Sequence, residues 1–228
     1  KQAMKGADMA KRARTARTDP LERIVKAALE LGAQQGWRET RMADIVEASG
    51  LSFNEVYKLT PSKMHIVSAF LRELDGQMIA GNDPAIAGEP ARDRLFDVIM
   101  LRFEAMEESR AGLMSLMAYR DRTPSLLLTL PLARKRSADW ALVSAGLDNR
   151  SGAPVGLKSV AIGYVIAKAE RAWRKETSGD FARTMAALDK GLRDAEDRME
   201  QLQRFTGWGK NKTRQDNTAD EETKPEET

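Results

Sequence analysis

The chain has 228 residues, with 37 Lys and Arg against 34 Asp and Glu, one His, no Cys, and 42% hydrophobic but only 6% aromatic residues. That length suits one large domain or two small ones with an ordinary buried core, so folding needs neither disulfide nor metal. The missing Cys and the single His exclude thiol nucleophiles, Cys-based zinc sites and His-centred triads, and no apolar run approaches the roughly 20 residues of a spanning helix, which predicts a cytoplasmic protein without stable membrane insertion.

The net charge of +3 is unevenly spread. Residues 1–18 carry six Lys or Arg and one Asp and read as a disordered basic arm, whereas 19–75 carry seven positive and nine negative charges. Asp19 as N-cap and Pro20 at the first helical position open a helix with Leu21, Ile24, Val25, Ala28 and Leu29 on one face and Gly36 just past its end. Thr40 is expected to cap a short second helix carrying Met42, Ile45, Val46 and Ala48. It stops at Ser49-Gly50, with Leu51 as a buried staple. Ser52 opens a third helix, and Glu55 three residues on gives the spacing of a capping box. Leu59-Thr60-Pro61 ends it, and Ser62 caps a long amphipathic fourth helix with Ile66, Val67, Phe70, Leu71, Leu74 and Met78.

A break over 81–90 follows. Further helices are expected at about 91–108, 111–122, 125–145 (interrupted at Pro131), 157–175 and 180–205, the last with Ser178 as its cap. A loop spans 146–156, and 206–228 reads as a disordered charged tail. No segment alternates apolar and polar residues over a strand's length. The fold class is therefore all-α with about nine helices: a helix-turn-helix unit over 19–64 and a larger helical body over 65–205.

Two short helices joined by Ser49-Gly50-Leu51-Ser52 have the spacing of a helix-turn-helix, in which the second helix can enter a major groove. The same spacing also occurs in all-α proteins that never touch DNA. The stretch from Ile24 to Phe70 resembles the DNA-binding domain of TetR-type regulators. The resemblance is carried by Ile24-Val25-Lys26-Ala27-Ala28-Leu29, Gly36-Trp37, Thr40-Arg41-Met42-Ala43-Asp44-Ile45-Val46, Ala48-Ser49-Gly50-Leu51-Ser52, Val56-Tyr57-Lys58 and Pro61-Ser62-Lys63. It implies a dimeric repressor on a palindromic double-stranded operator, released by a small apolar ligand. The third helix would read bases, and Thr40, Tyr57 and Lys63 match phosphate-binding positions. The helices at 157–175 and 180–205 would form the dimer face. The implied DNA-binding set is Thr40, Arg41, Ser52, Phe53, Asn54, Glu55, Tyr57, Lys58 and Lys63.

Three positions depart from that family. Glu55 stands where Thr or Ser is usual, Thr60 replaces an aromatic residue, and Phe53-Asn54 replaces a basic-small pair. Glu55 is read as the capping-box acceptor, or as an acceptor from a cytosine amine, and Asn54 as a reader of adenine. The arm with Lys11, Arg12, Arg14 and Arg17 would supply phosphate or minor-groove contacts, or be a solvated tail.

A second resemblance lies in the C-terminal region. Glu89-Pro90-Ala91-Arg92-Asp93-Arg94-Leu95-Phe96-Asp97-Val98-Ile99-Met100, Arg171-Ala172-Trp173 and Ser178-Gly179-Asp180-Phe181-Ala182-Arg183-Thr184-Met185-Ala186-Ala187-Leu188-Asp189 are similar to the C-terminal domain of ubiquinone-biosynthesis accessory proteins of the same fold. That implies a lipid or isoprenoid ligand beside a relict helix-turn-helix. Met100, Phe103, Met106, Leu113, Met114, Met117, Tyr119 and Trp140 read as core, or as the soft lining of a pocket for an apolar or lipid-like ligand. Trp140 and Trp173 lie on apolar helical faces, and Phe205 and Trp208 close the last helix or touch a membrane interface. His65, with no partner at metal or triad spacing, reads as a helix-end residue. With no phosphate loop, metal cluster or paired-carboxylate cleft, no catalytic residue, metal or cofactor is expected, and the chain does not read as an enzyme.

Overall fold

The computed structural model describes residues 19–81, 88–148 and 154–206, with the side chains of 125–130 and 206 outside that description. The basic arm and the tail from 207, Trp208 included, lie outside the described residues. Regular structure among the described residues is helical throughout. It comprises α1 (Pro20–Gln35), α2 (Met42–Ser49), α3 (Phe53–Leu59), α4 (Lys63–Ala80), α5 (Ala91–Glu107), α6 (Arg110–Asp121), α7 (Pro124–Ser144), α8 (Val155–Trp173) and α9 (Ala182–Thr206). No described helix is long and apolar enough to cross a membrane.

Packing divides the chain into two compact units, Lys1–Gln77 with Arg102–Leu130 and Met78–Leu101 with Pro131–Thr228. This differs from a cut at 64/65, because α4, α5 and α7 each contribute residues to both units. The cause lies in α6, which packs on α1 and so belongs with the helix-turn-helix.

In the first unit the Asp19 carboxylate accepts from the Leu21 N–H at 3.0 Å and Pro20 occupies the first turn. Ile24, Val25, Ala28 and Leu29 are buried, as their three- and four-residue spacing demands. Gly36 ends the helix at φ +94°. A Cβ on Gly112 of α6 would stand 2.3 Å from the Leu29 carbonyl oxygen, so α6 crosses α1 with almost no side chain between the two backbones. Trp37 is buried at the foot of this crossing, its backbone N–H donating to Ser115 Oγ of α6 at 2.8 Å. Arg102 of α5 donates to Asp75 of α4 at 3.0 Å, an ion pair whose side chains are only 9% and 5% exposed.

In the second unit α8 and α9 pack together. Ile162, Val165, Ile166, Ala169 and Trp173 are buried on α8, and Leu188 and Leu192 on α9. Gly191 admits Val165, whose Cγ1 would lie 3.1 Å from an added Cβ. The start of α9 is fixed by two carboxylates. Glu176 accepts from both the Thr184 N–H and its hydroxyl, and Asp180 accepts from the Ala182 N–H at 3.1 Å.

Several local expectations need correction. Thr40 does not cap α2. The cap position is Arg41, and the buried Thr40 hydroxyl instead donates back to the Gly36 carbonyl at 2.9 Å. Leu51 is half-buried, not fully so. Ser178 donates to Asp180 instead of capping α9 itself, because Asp180 stands two residues nearer the helix start and accepts from the Ala182 N–H. α7 runs unbroken through Pro131. A proline removes one N–H from the ladder, and at this exposed position water can reach the turn it weakens. Trp140 is 42% exposed and Phe205 89% exposed. Trp173 is fully buried, as its apolar face predicts.

Candidate nucleic-acid interface

The turn between α2 and α3 is held by Gly50 and by Arg23 of α1. Gly50 adopts φ +64°, the left-handed region, and Arg23 of α1 donates from Nη2 to the Ser49 carbonyl at 2.6 Å, tying the turn to the first helix. An added Cβ on Gly50 would also meet that Arg23 Nη2 at 3.1 Å. α3 then starts on Ser52 with both halves of the capping box formed. The Glu55 N–H donates to Ser52 Oγ at 3.3 Å, and Glu55 Oε2 accepts from the Ser52 N–H at 2.8 Å and its hydroxyl at 2.6 Å. These bonds, the hydroxyl first and the N–H second, hold the Glu55 carboxyl below the usual carboxylate range, with smaller help from Arg23 and Lys58.

Val56 alone of α3 is buried. With about 3.6 residues per turn, Asn54 and Lys58 stand opposite it, and Phe53 and Tyr57, one turn apart, flank them. Both aromatic rings are 70% exposed. At the end of α3 the buried Thr60 hydroxyl donates to the Val56 carbonyl at 3.3 Å, so a small polar residue closes the helix from inside.

The residues around α3 are more engaged than their sequence suggests. Arg41 lies in a fork on Asp44, with Nη2 at 2.6 Å and Nε at 3.2 Å from its oxygens, and its backbone N–H donates to the same carboxylate at 3.0 Å. The guanidinium bonds first, then the backbone N–H, pull the Asp44 carboxyl down to about 2. Because the folded value lies below the ordinary 3.8, the staple is complete above that value and is lost as pH falls through about 2. We expect the Asp44 side-chain carbon resonance to titrate near pH 2. A midpoint near 3.8 would mean that the fork is absent in solution.

Lys63, at the start of α4, reaches back to the loop before α2, where Nζ donates to the Trp37 carbonyl at 2.5 Å and the Thr40 carbonyl at 2.9 Å. It also lies 5.2 Å from the Trp37 ring centroid and 5.8 Å from that of Tyr119 on α6. Burial pulls its ammonium below the ordinary lysine range, against the opposing effect of Glu39. Two of its three hydrogens are thus committed inside the unit, leaving one for an outside phosphate. Lys63→Ala is therefore expected to lower stability by about 1–2 kcal/mol, charge-assisted bonds at a part-exposed site. Chemical denaturation checks this, and an unchanged midpoint would remove the clamp from the account. His65, expected at a helix end, is exposed there, its Nδ1 paired with Ser62 Oγ at 2.8 Å.

Of the nine residues with an implied DNA role, Arg41, Ser52, Phe53, Asn54, Glu55, Tyr57 and Lys58 are exposed on or beside α3, and Lys63 is half-buried. Thr40 is 1% exposed, and its hydroxyl hydrogen is committed to Gly36. The eight pocket candidates divide between the two units. Phe103, Met106, Leu113 and Met117 are buried in the first, with Met114 and Tyr119 half-buried beside them in sequence. Met100 and Trp140 belong to the second. Arg23, Trp37, Gly112 and Ser115 do as much to position the turn as any predicted residue. Of these, only Trp37, next to Gly36, left a mark in the sequence.

Among the described residues the first unit thus holds a helix-turn-helix whose second helix is exposed everywhere but at Val56. Solved structures agree on the fold. A TetR transcriptional regulator from Nitrosomonas europaea superimposes with a TM-score of 0.64 at 18% identity, covering 78% of this chain and 99% of its own. A second, from a Rhodococcus species, gives 0.56 at 14% identity, covering 77% of this chain and 94% of its own. The chain therefore has the TetR-like fold. No family model matches the sequence, and no curated protein matches it.

Proposed function

We propose that the protein is a sequence-specific DNA-binding transcriptional regulator that acts as a dimer on a two-fold-related operator and is released by a small apolar ligand. The observation that carries this reading is α3 itself: one residue anchors it, and its outer face offers two exposed rings, an amide and an ammonium. Phosphate contacts from Tyr57, Lys58, Arg41 and the remaining Lys63 hydrogen would hold the helix in register, and base edges would meet Phe53 and Asn54. For the dimer, α8 presents Val160 and Tyr164, one turn apart and 63% and 54% exposed. Large apolar side chains so displayed suit a covering copy of the same chain. Two such copies would set their α3 helices about 34 Å apart, in successive major-groove turns.

For release, α6 carries Met114 and Met117, and the same helix holds α1 and Trp37 through Gly112 and Ser115. A ligand that displaced α6 would carry the helix-turn-helix with it, and DNA and ligand would oppose each other reciprocally. A second reading, a lipid-binding accessory protein with a relict helix-turn-helix, draws support from Phe53, Tyr57, Leu59 and Met64, all large, apolar and exposed. Fluorescence anisotropy with duplex from upstream of the protein's own gene, set beside vesicle co-sedimentation, separates the two. The regulator reading expects Tyr57→Ala with Lys58→Ala to weaken duplex binding at least about tenfold with unchanged unfolding, since neither side chain is buried. Equal binding by the double variant, or capture by vesicles alone, would refute it.

A further inference from the structure

The polar side chains at the interface fall into two groups. Glu55 Oε2 takes both Ser52 hydrogens, Arg41 lies on Asp44, Thr40 is turned inward, and Lys63 spends two hydrogens on backbone carbonyls. On the outer face of α3, by contrast, no side-chain hydrogen bond or ion pair among the described residues engages Phe53, Asn54, Tyr57 or Lys58. α3 carries no arginine, and its one cation, Lys58, sits in its last turn.

We propose that Asn54 and Phe53 set the base preference of this helix, so that each half-site presents an adenine to the Asn54 carboxamide and a thymine methyl to the Phe53 ring. The inference rests on the DNA-binding reading and goes beyond it by naming what is read. The carboxamide has one acceptor and two donors, which match adenine N6–H and N7. Guanine offers two acceptors in the groove and is met best by arginine, or by lysine. A phenyl ring has nothing to give the polar edges of guanine or cytosine, and burying those edges against it would leave them without partners. The thymine C5-methyl is the one apolar feature in the major groove. Glu55 Oε2 is held by both Ser52 hydrogens at the cap of a helix just seven residues long, so a cytosine amine could meet only the other oxygen of a carboxylate pinned at the helix start. The centre of the half-site is thus A·T.

The test uses the full chain and a library of randomised duplexes. The parent should enrich half-sites with adjacent A·T pairs. Changing the contacted adenine to guanine should cost roughly tenfold to a hundredfold, and Asn54→Ala should abolish that discrimination. Replacing the contacted thymine by deoxyuridine, which lacks only the methyl, should weaken the parent about fourfold, the worth of one buried methylene-sized group, and should leave Phe53→Ala unaffected. Glu55→Gln, which keeps an acceptor for the cap, should select the same sites as the parent. Enrichment of a G·C centre, a consensus altered by Glu55→Gln, or a deoxyuridine penalty that persists in Phe53→Ala would overturn the assignment. No enriched sequence and no salt dependence would instead sink the DNA-binding reading, and this assignment with it.

Discussion

Arg102→Met is expected to destabilise the protein by about 3–5 kcal/mol, because it leaves the Asp75 carboxylate without its guanidinium in a site closed to water. The two side chains are 9% and 5% exposed and meet at 3.0 Å, joining α5 to α4. Taking ions out of water is costly, and their attraction offsets that cost only while both are present. Removing one partner therefore costs more than removing the pair. Asp75→Leu combined with Arg102→Met should recover much of the loss. In thermal unfolding the single variant should melt roughly 10 °C below the parent. A loss below about 1 kcal/mol, or a double variant worse than the single, would show that the pair does not hold α4 to α5.

The second large effect is expected at Gly112. Its Cβ would lie 2.3 Å from the Leu29 carbonyl oxygen and 2.8 Å from the carbonyl carbon, both backbone atoms that no rotamer change can move. Gly112→Ala should therefore force α6 off α1 at a cost of about 1–3 kcal/mol or more, despite alanine's higher helix propensity. Gly76, inside α4 with nothing within 4 Å of an added Cβ, is the matched control. There the same change should stabilise by about 0.5–1 kcal/mol. Opposite signs in one denaturation series would establish the close crossing, and equal signs would contradict it.

How much of this was legible in the sequence depends on whether the determining contacts are local. Asp19-Pro20, the Ser52–Glu55 capping box and the Gly36 and Gly50 stops are satisfied within three or four residues, and each could be read directly. Thr40 could not, because a threonine before a helix can cap forward or bond backward. The choice fell to the burial of the 37–40 loop under Lys63. The double role of Lys63 was hidden for the same reason, its partners lying more than twenty residues away. Gly112 gives no local sign of its function, since nothing in a helix interior announces that another backbone will pass within contact distance. Trp140 sat on an apolar stripe by spacing, yet it is part-exposed, because periodicity names a face but not what covers it.

The near-neutral charge of the helix-turn-helix also reads differently once partners are known. Asp44 and Glu55, two of its acidic residues, are bound to Arg41 and Ser52 inside the fold. The Asp44–Arg41 pair takes one charge of each sign out of play, Glu55 stays anionic on the neutral Ser52, and Lys58 is left outward on α3.

The most direct test is the salt dependence of binding by the full chain to its own upstream duplex, measured against random duplex of equal length. Each neutralised phosphate contributes about −0.9 to the slope of log K against log salt, so Lys58 and Lys63 of one chain, with Arg41 already paired to Asp44, predict a slope of about −2, steeper for a dimer. The account predicts such a slope together with a clear preference for the upstream sequence at every salt concentration. A slope near zero with no preference over random duplex would contradict it.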